Sequence, residues 1–269
     1  MKAILSINKK FMSFSPNELV NIIKSKSKSI EGLELYVNIH KRRELDYLIE
    51  LVKVCKLHNL YFQVHGDSTL DIDEQVRYLK LLENVSDILG YKINVVLHPI
   101  VLESFDDSVR ETINYLDNVK EKVDVNKIIL SLENLNDFQY IDRLGINDVV
   151  PIAFRDNDIY LTYDLGHDIA DNYKLTPLED KVFDKLSNIH VHSVDDNYFG
   201  GGYDHKPIFA GDEYLIIILR YLRYLKSKEY DKGIVFEYDI NACNGNNVEE
   251  RLINYIKSID YVMYIMKNL

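Results

Sequence analysis

"IYLTYDLGHDIADNY", residues 159–173, begins as a strand and changes character at Asp164. Its opening six residues alternate apolar and β-favouring side chains of the kind found in strands buried on both faces. The run then stops on Asp-x-x-His, so a carboxylate and an imidazole stand where a loop should begin.

The same construction recurs along the chain. "AILSI", "LELYVN", "YFQVH", "INVVLH", "IILSLE", "IYLTYD", "NIHVH" and "IVFEYD" all read as short buried strands. Between them lie segments of helical periodicity. One places Leu45, Leu48, Val52 and Cys55 on a single face, and another near the C-terminus does so with Leu252, Ile256, Ile259 and Met266. Two helix starts carry capping signatures, "SPNE" at Ser15 and "TPLE" at Thr176, each a hydroxyl residue followed by Pro and then Glu. Eight strand–helix units without a Pro/Gly/Ser linker predict one α/β domain over residues 1–269, a (β/α)8 TIM barrel. The alternative is a doubly wound open sheet. "FGGGYDH" lacks both the GxGxxG spacing and the Walker lysine that would favour it, and reads as a flexible turn.

Bulk properties restrict the function classes. The chain has 269 residues, 46% hydrophobic, with 43 acids against 32 bases and a formal net charge of -11. That balance disfavours a general polyanion-binding surface and suits small or cationic ligands. Cys55 and Cys243 form no CxxC pair, so neither a disulfide framework nor a thiolate zinc site is expected, and a reducing cytoplasm is the simplest home. The most apolar helix candidate, "YLIIILRYLRYL", is interrupted by Arg220 and Arg223, and no membrane segment is expected.

The chemistry collects at the strand ends. Six of the eight histidines lie at strand C-termini or just beyond them, where a barrel gathers its loops into one mouth. The third strand ends in His65, the fourth in His98, the fifth in Glu133 and the sixth in Asp164 with His167 close behind. The seventh ends in His190-Val191-His192 and the eighth in Glu237. Taken singly, a strand-end His is more often a structural residue than a ligand, and a lone Glu is more often solvated. Their convergence changes the reading, because several ionisable groups buried together cost several kcal/mol unless a cation compensates them. Imidazole and carboxylate without thiolate suit zinc, manganese, cobalt or iron. Strand alternation points His190 and His192 to one side at different heights, and His190 is the favoured ligand.

These residues resemble the xylose isomerase-like barrels, which include sugar isomerases and epimerases and the endonuclease IV group of abasic-site nucleases (AP endonuclease family 2). The shared core of that family is Glu, Asp, His and Glu on strands five to eight around a divalent cation. Glu133 in "LSLEN", Asp164 in "YDLGH", His190 in "IHVH" and Glu237 in "VFEYD" match it position by position. The endonuclease IV group adds ligands for a three-zinc cluster, with counterparts in His65, His98, His167 and His205. Its Asp-x-His motif is Tyr203-Asp204-His205 in this chain, which displaces the carboxylate by one residue.

The resemblance implies one to three divalent ions, zinc or manganese foremost, and two competing activities. In the first, a sugar or sugar phosphate is isomerised or epimerised through an enediolate, with Glu133 and Glu237 as acid and base and His167 or His205 on substrate or on a further metal. In the second, phosphodiesters are hydrolysed at abasic sites in DNA. A nuclease needs phosphate-contacting bases, for which Lys41, Arg42 and Arg43 are the candidates, although a charge run opening a helix is usually a solvated face. A metal-binding scaffold without activity is the third class.

Overall fold

The computed structural model describes residues 1–36, 41–66, 71–136, 143–172, 174–195 and 204–268. Each expected strand forms: β1 (Lys2–Asn8), β2 (Ile30–Tyr36), β3 (Tyr61–His65), β4 (Ile93–Leu97), β5 (Ile128–Glu133), β6 (Ile159–Asp164), β7 (Leu186–Val191) and β8 (Gly233–Phe236). Every neighbouring pair is parallel, and β8 returns to β1, closing the barrel. The crossovers run through α1 (Pro16–Lys26), α2 (Arg42–Leu57), α3 (Ile72–Leu89), α4 (Phe105–Lys122), α5 (Ile146–Ala153), α6 (Leu165–Asn172), the short α7 (Asp180–Phe183) and α8 (Leu215–Ser227). Finally, α9 (Val248–Asn268) follows β8. No helix among the described residues is long and apolar enough to cross a membrane.

Alternation along the strands divides the interior in two. One set of side chains, including Leu33, Leu35, Phe62, Val64, Val95 and Leu97, faces the helices and joins Leu48, Val52, Cys55, Leu252, Ile256 and Ile259 in a continuous apolar layer. Burial of this layer is the main stabilising term. The other set faces the lumen and is polar over much of its height: Glu34, Gln63, Asn94, Ser131, Thr162 and Asn188 are all at most 1% exposed. Hydrogen bonds link several of them, from Ser187 through Ser131 and Thr162 to Asn188.

One helix start follows its sequence signature and the other does not. The Ser15 hydroxyl accepts the Glu18 amide N–H at 3.3 Å while the Glu18 carboxylate accepts the Ser15 amide N–H at 2.8 Å, a complete capping box for α1. Thr176 caps nothing. Its hydroxyl donates to Asp168 Oδ1 at 2.9 Å, and its amide N–H reaches Asp168 and, at 3.1 Å, the Tyr163 hydroxyl. With the side chain committed to Asp168, the helix waits until Asp180. The Gly run of "FGGGYDH" lies outside the described residues, as does Tyr203. Cys55 and Cys243 are both free and buried.

Candidate metal centre

The C-terminal ends of the strands assemble the acids and imidazoles. His65, Glu133 and Asp164 are the last residues of β3, β5 and β6, while His98 and Glu237 directly follow β4 and β8. His190 lies within β7, and His192 stands just past its end. The register that pairs Asp164 with His190 brings the sixth and seventh strands level.

Among the described residues, two sets of potential ligands result. The first is His65, Glu133, His190 and Glu237, which can each offer an atom within 4.8 Å of the others. His190 Nδ1 lies 2.7 Å from Glu133 Oε1, 2.7 Å from Glu237 Oε2 and 3.8 Å from Asp164 Oδ2. Glu133 turns its other oxygen to His65 Nε2 at 3.3 Å and His98 Nε2 at 3.0 Å. Glu133 Oε1, Asp164 Oδ2 and His190 Nδ1 are buried close together, yet none of them meets a partner in hydrogen-bond geometry. Orphaned donors and acceptors are rare in protein interiors, and a shared divalent cation would satisfy all three, so the residues fit such an ion.

The remaining nitrogen of His190 explains why Nδ1 is the outward ligand atom. Nε2 lies 3.2 Å from Glu34 Oε2, and that carboxylate also accepts from Gln63 Nε2 at 2.5 Å. Glu34 and His190 are fully buried. Once Nδ1 gives up its proton to a cation, the proton kept on Nε2 by Glu34 leaves the Nδ1 lone pair as the ligand, an arrangement that orients metal-binding histidines generally. Sequence reasoning missed Glu34, although an acid at an inward position of "LELYV" was a readable signal. Glu34→Gln is expected to weaken metal binding by about 10- to 100-fold, measured by competition with a chromogenic chelator. Unchanged affinity would remove Glu34 from the site.

The second set is Asp164, His167, His192 and His205. His192 Nε2 is 3.1 Å from Asp164 Oδ1, and the His192 and His205 rings stack at 4.1 Å. Asp164 also works structurally, accepting the His167 amide N–H at 2.9 Å where α6 begins. Its backbone is pinned by Asn134, which donates to the Asp164 carbonyl at 3.0 Å and accepts from its N–H at 2.8 Å. The intervening glycine is obligatory, because a Cβ on Gly166 would fall 2.1 Å from the His192 ring. Asp204 turns to its neighbour, 3.0 Å from His205 Nδ1, and is not among the four.

Charge explains how acids and imidazoles share this volume. Burial opposes ionisation of Glu133, but His190, His65 and His98 outweigh it and hold the carboxyl well below its usual range. Glu237, half-buried at the cavity wall beside His190, His65 and His205, is lowered to about 2. Burial disfavours a charged His65, yet Glu133, Glu237 and Glu34 prevail and raise it to about 9. Against the same burial penalty, Glu133, Glu34 and Glu237 lift His190 well above its ordinary value. In the metal-free protein both rings therefore hold protons at neutral pH, and a cation must displace them. Affinity should strengthen as pH rises toward about 9, by up to about tenfold per unit for each proton released. Calorimetric titration in buffers of different ionisation heat reads those protons; affinity that is flat between about pH 6 and pH 8 would contradict the shifts.

A cavity of 560 Å³ opens above the first set, lined by His65, His98, His167, His205 and Glu237 together with Tyr36 and Arg143. Neither Tyr36 nor Arg143 was singled out from the sequence. Pro99, Ile100, Val101 and Leu135 form its apolar wall. The basic run at the start of α2 is exposed, with only loose contacts: Lys41 lies 3.6 Å from Glu44, Arg42 lies 3.9 Å from Asp46, and Arg43 donates to the Met12 carbonyl at 3.5 Å.

A closed parallel eight-stranded barrel with these groups at its C-terminal mouth has the fold of the xylose isomerase-like barrels. No family model matches the chain, and no curated protein matches it. Among solved structures it is similar to the 3-keto-D-glucoside 4-epimerase of E. coli, at 15% identity and TM-score 0.69, over 98% of this chain and 99% of that one. A D-tagatose 3-epimerase-like protein aligns at 17% identity and TM-score 0.66, over 100% of this chain and 99% of the other. AP endonuclease, family 2 from Brucella melitensis aligns at 18% identity and TM-score 0.63, over 93% and 96%.

Proposed function

We propose that the protein is a divalent-metal-dependent isomerase or epimerase of a sugar or sugar phosphate. The observation that carries this reading is the pair of glutamates, Glu133 and Glu237, each 2.7 Å from His190 Nδ1 beneath the 560 Å³ mouth. Glu133, Asp164, His190 and Glu237 would hold the ion. A divalent cation, when bound, polarises a carbonyl and its neighbouring hydroxyl and so acidifies the carbon-bound proton. Both glutamates are ionised at neutral pH, which suits one of them to accept that proton as the enediolate forms. The other takes a proton from solvent and returns it to carbon, while the first releases its proton to solvent. His167, whose Nδ1 is held 2.9 Å from the Asn134 carbonyl, presents its other nitrogen for a substrate oxygen. The epimerase folds named above are consistent with a carbohydrate substrate.

Incubation with ketoses and their phosphates in deuterated water tests the proposal. Deuterium is expected on carbon, because the proton passes through a carboxylate that exchanges with solvent.

A second reading is favoured by one observation, the additional set of Asp164, His167, His192 and His205. Several neighbouring cations suit phosphodiester hydrolysis, and the AP endonuclease shares the fold. Against it, the chain carries a net charge of -11, and Lys41 and Arg42 at the start of α2 stand beside the carboxylates of Glu44 and Asp46. Cleavage of an abasic-site duplex at low enzyme concentration, with no exchange on any sugar, would transfer the assignment to the nuclease.

A further inference from the structure

The opposite end of the barrel carries a cavity that the proposed activity does not use. It occupies 390 Å³ at the N-terminal ends of the strands and is lined by Lys2, Lys92, Lys232, Asn94, Tyr61 and Tyr160, among others. Its volume lies within the range typical of small-molecule sites. Asp231 is the one carboxylate among its described lining residues.

Three features mark it as a site for an anion. First, in a chain of net charge -11, none of these three lysines makes an ion pair with a described residue. Lys2 Nζ rests 5.1 Å above the Tyr61 ring, and Lys232 donates to the Leu186 carbonyl. Other lysines of the chain, such as Lys120, Lys127 and Lys228, do find carboxylates. Second, the positive field continues outward, since an adjoining groove shares Lys2 and Lys92 and adds Lys24, Lys28 and Lys56. Third, Asn94 is 1% exposed, lines the cavity, and has neither its amide nitrogen nor its amide oxygen hydrogen-bonded. Leaving both atoms of a buried amide unsatisfied is unfavourable, a penalty that a ligand bearing both acceptor and donor oxygens removes.

We propose that the N-terminal mouth of the barrel binds a small phosphate monoester. Its phosphoryl oxygens accept from Lys2, Lys92 and the Asn94 amide N–H, and a hydroxyl of its carbon skeleton donates to Asn94 Oδ1. Phosphate dianions match a lysine cluster better than a carboxylate does, because each ammonium can meet a separate oxygen. Tyr61 and Tyr160 supply apolar walls for the skeleton. This site is separate from the metal centre, so it stands or falls independently of the sugar-isomerase reading.

The test is calorimetric titration of chelator-treated protein with glycerol phosphate, metal being removed so that no cation at the other mouth captures the probe. Saturable one-to-one binding is expected in physiological salt. A Lys2→Gln/Lys92→Gln double variant, altering two exposed side chains, should weaken it by about tenfold or more, whereas Lys226→Gln on α8 should leave it unchanged. Asn94→Leu should weaken it too while removing the unsatisfied amide, so the variant should melt no lower than the parent. Binding that survives the double variant, heat that disappears in physiological salt as a diffuse patch would show, or no saturation by about 10 mM would each overturn the proposal.

Discussion

Glu133→Gln is expected to strip the metal and destabilise the barrel together, the largest effect of any single substitution in this chain. The carboxylate is the hub of the mouth: one oxygen meets His65 and His98 at 3.3 and 3.0 Å, and the other meets His190 at 2.7 Å. It is fully buried, so nothing from solvent replaces its charge. An amide in its place removes an anionic ligand and faces the imidazoles with a group that is half donor. Breaking a buried pair of this kind costs about 3–5 kcal/mol. For a chain of this size that corresponds to a fall in Tm of roughly 6 to 20 °C in the metal-free protein. Mass spectrometry should find under about a tenth of an equivalent of any transition metal, since a lost direct ligand exceeds the roughly 10- to 100-fold cost of losing a supporting contact. A variant that kept stoichiometric metal and melted with the parent would take Glu133 out of the centre.

The second large effect separates two histidines on one strand. His190 is enclosed by Glu34 on one side and by Glu133 and Glu237 on the other, so His190→Ala removes the one imidazole that touches all three carboxylates and leaves His65 alone to offset Glu133 and Glu237. Loss of metal and of turnover is expected. His192→Ala removes a ring that touches Asp164 Oδ1 at 3.1 Å and stacks on His205, and should cost about 10- to 100-fold in metal affinity or activity. Comparing metal content and deuterium exchange in the two variants decides the matter. The reverse order, metal lost with His192 and kept with His190, would move the seventh strand's ligand by two residues.

Local pattern carried a great deal of this. Alternating apolar runs are written in sequence because a strand buried against helices must be apolar on the helix side, and the eight runs became eight strands. The capping box at Ser15 was legible because its partners are three residues apart. The position of Asp164, His167, Glu133 and Glu237 at strand ends was equally legible, since it depends only on where each strand stops. Thr176 shows the limit: its sequence matched a cap, but Asp168 and Tyr163 claimed it first, two partners brought near by the fold around β6.

What tertiary structure decided is which groups meet. No spacing in the chain announces that Glu34 on β2 lies 3.2 Å from His190 on β7, because the barrel must close before those strands share a lumen. Nor could alternation assign His190 to Glu133 and His192 to Asp164. Both rings point inward, and their partners depend on the stagger between strands, set where Asp164 pairs with His190. Sequence determined which residues reach the lumen and the mouth, because side-chain direction is a property of one strand. The register of eight strands around a closed sheet determined their partners, because contact across the barrel depends on all of them together.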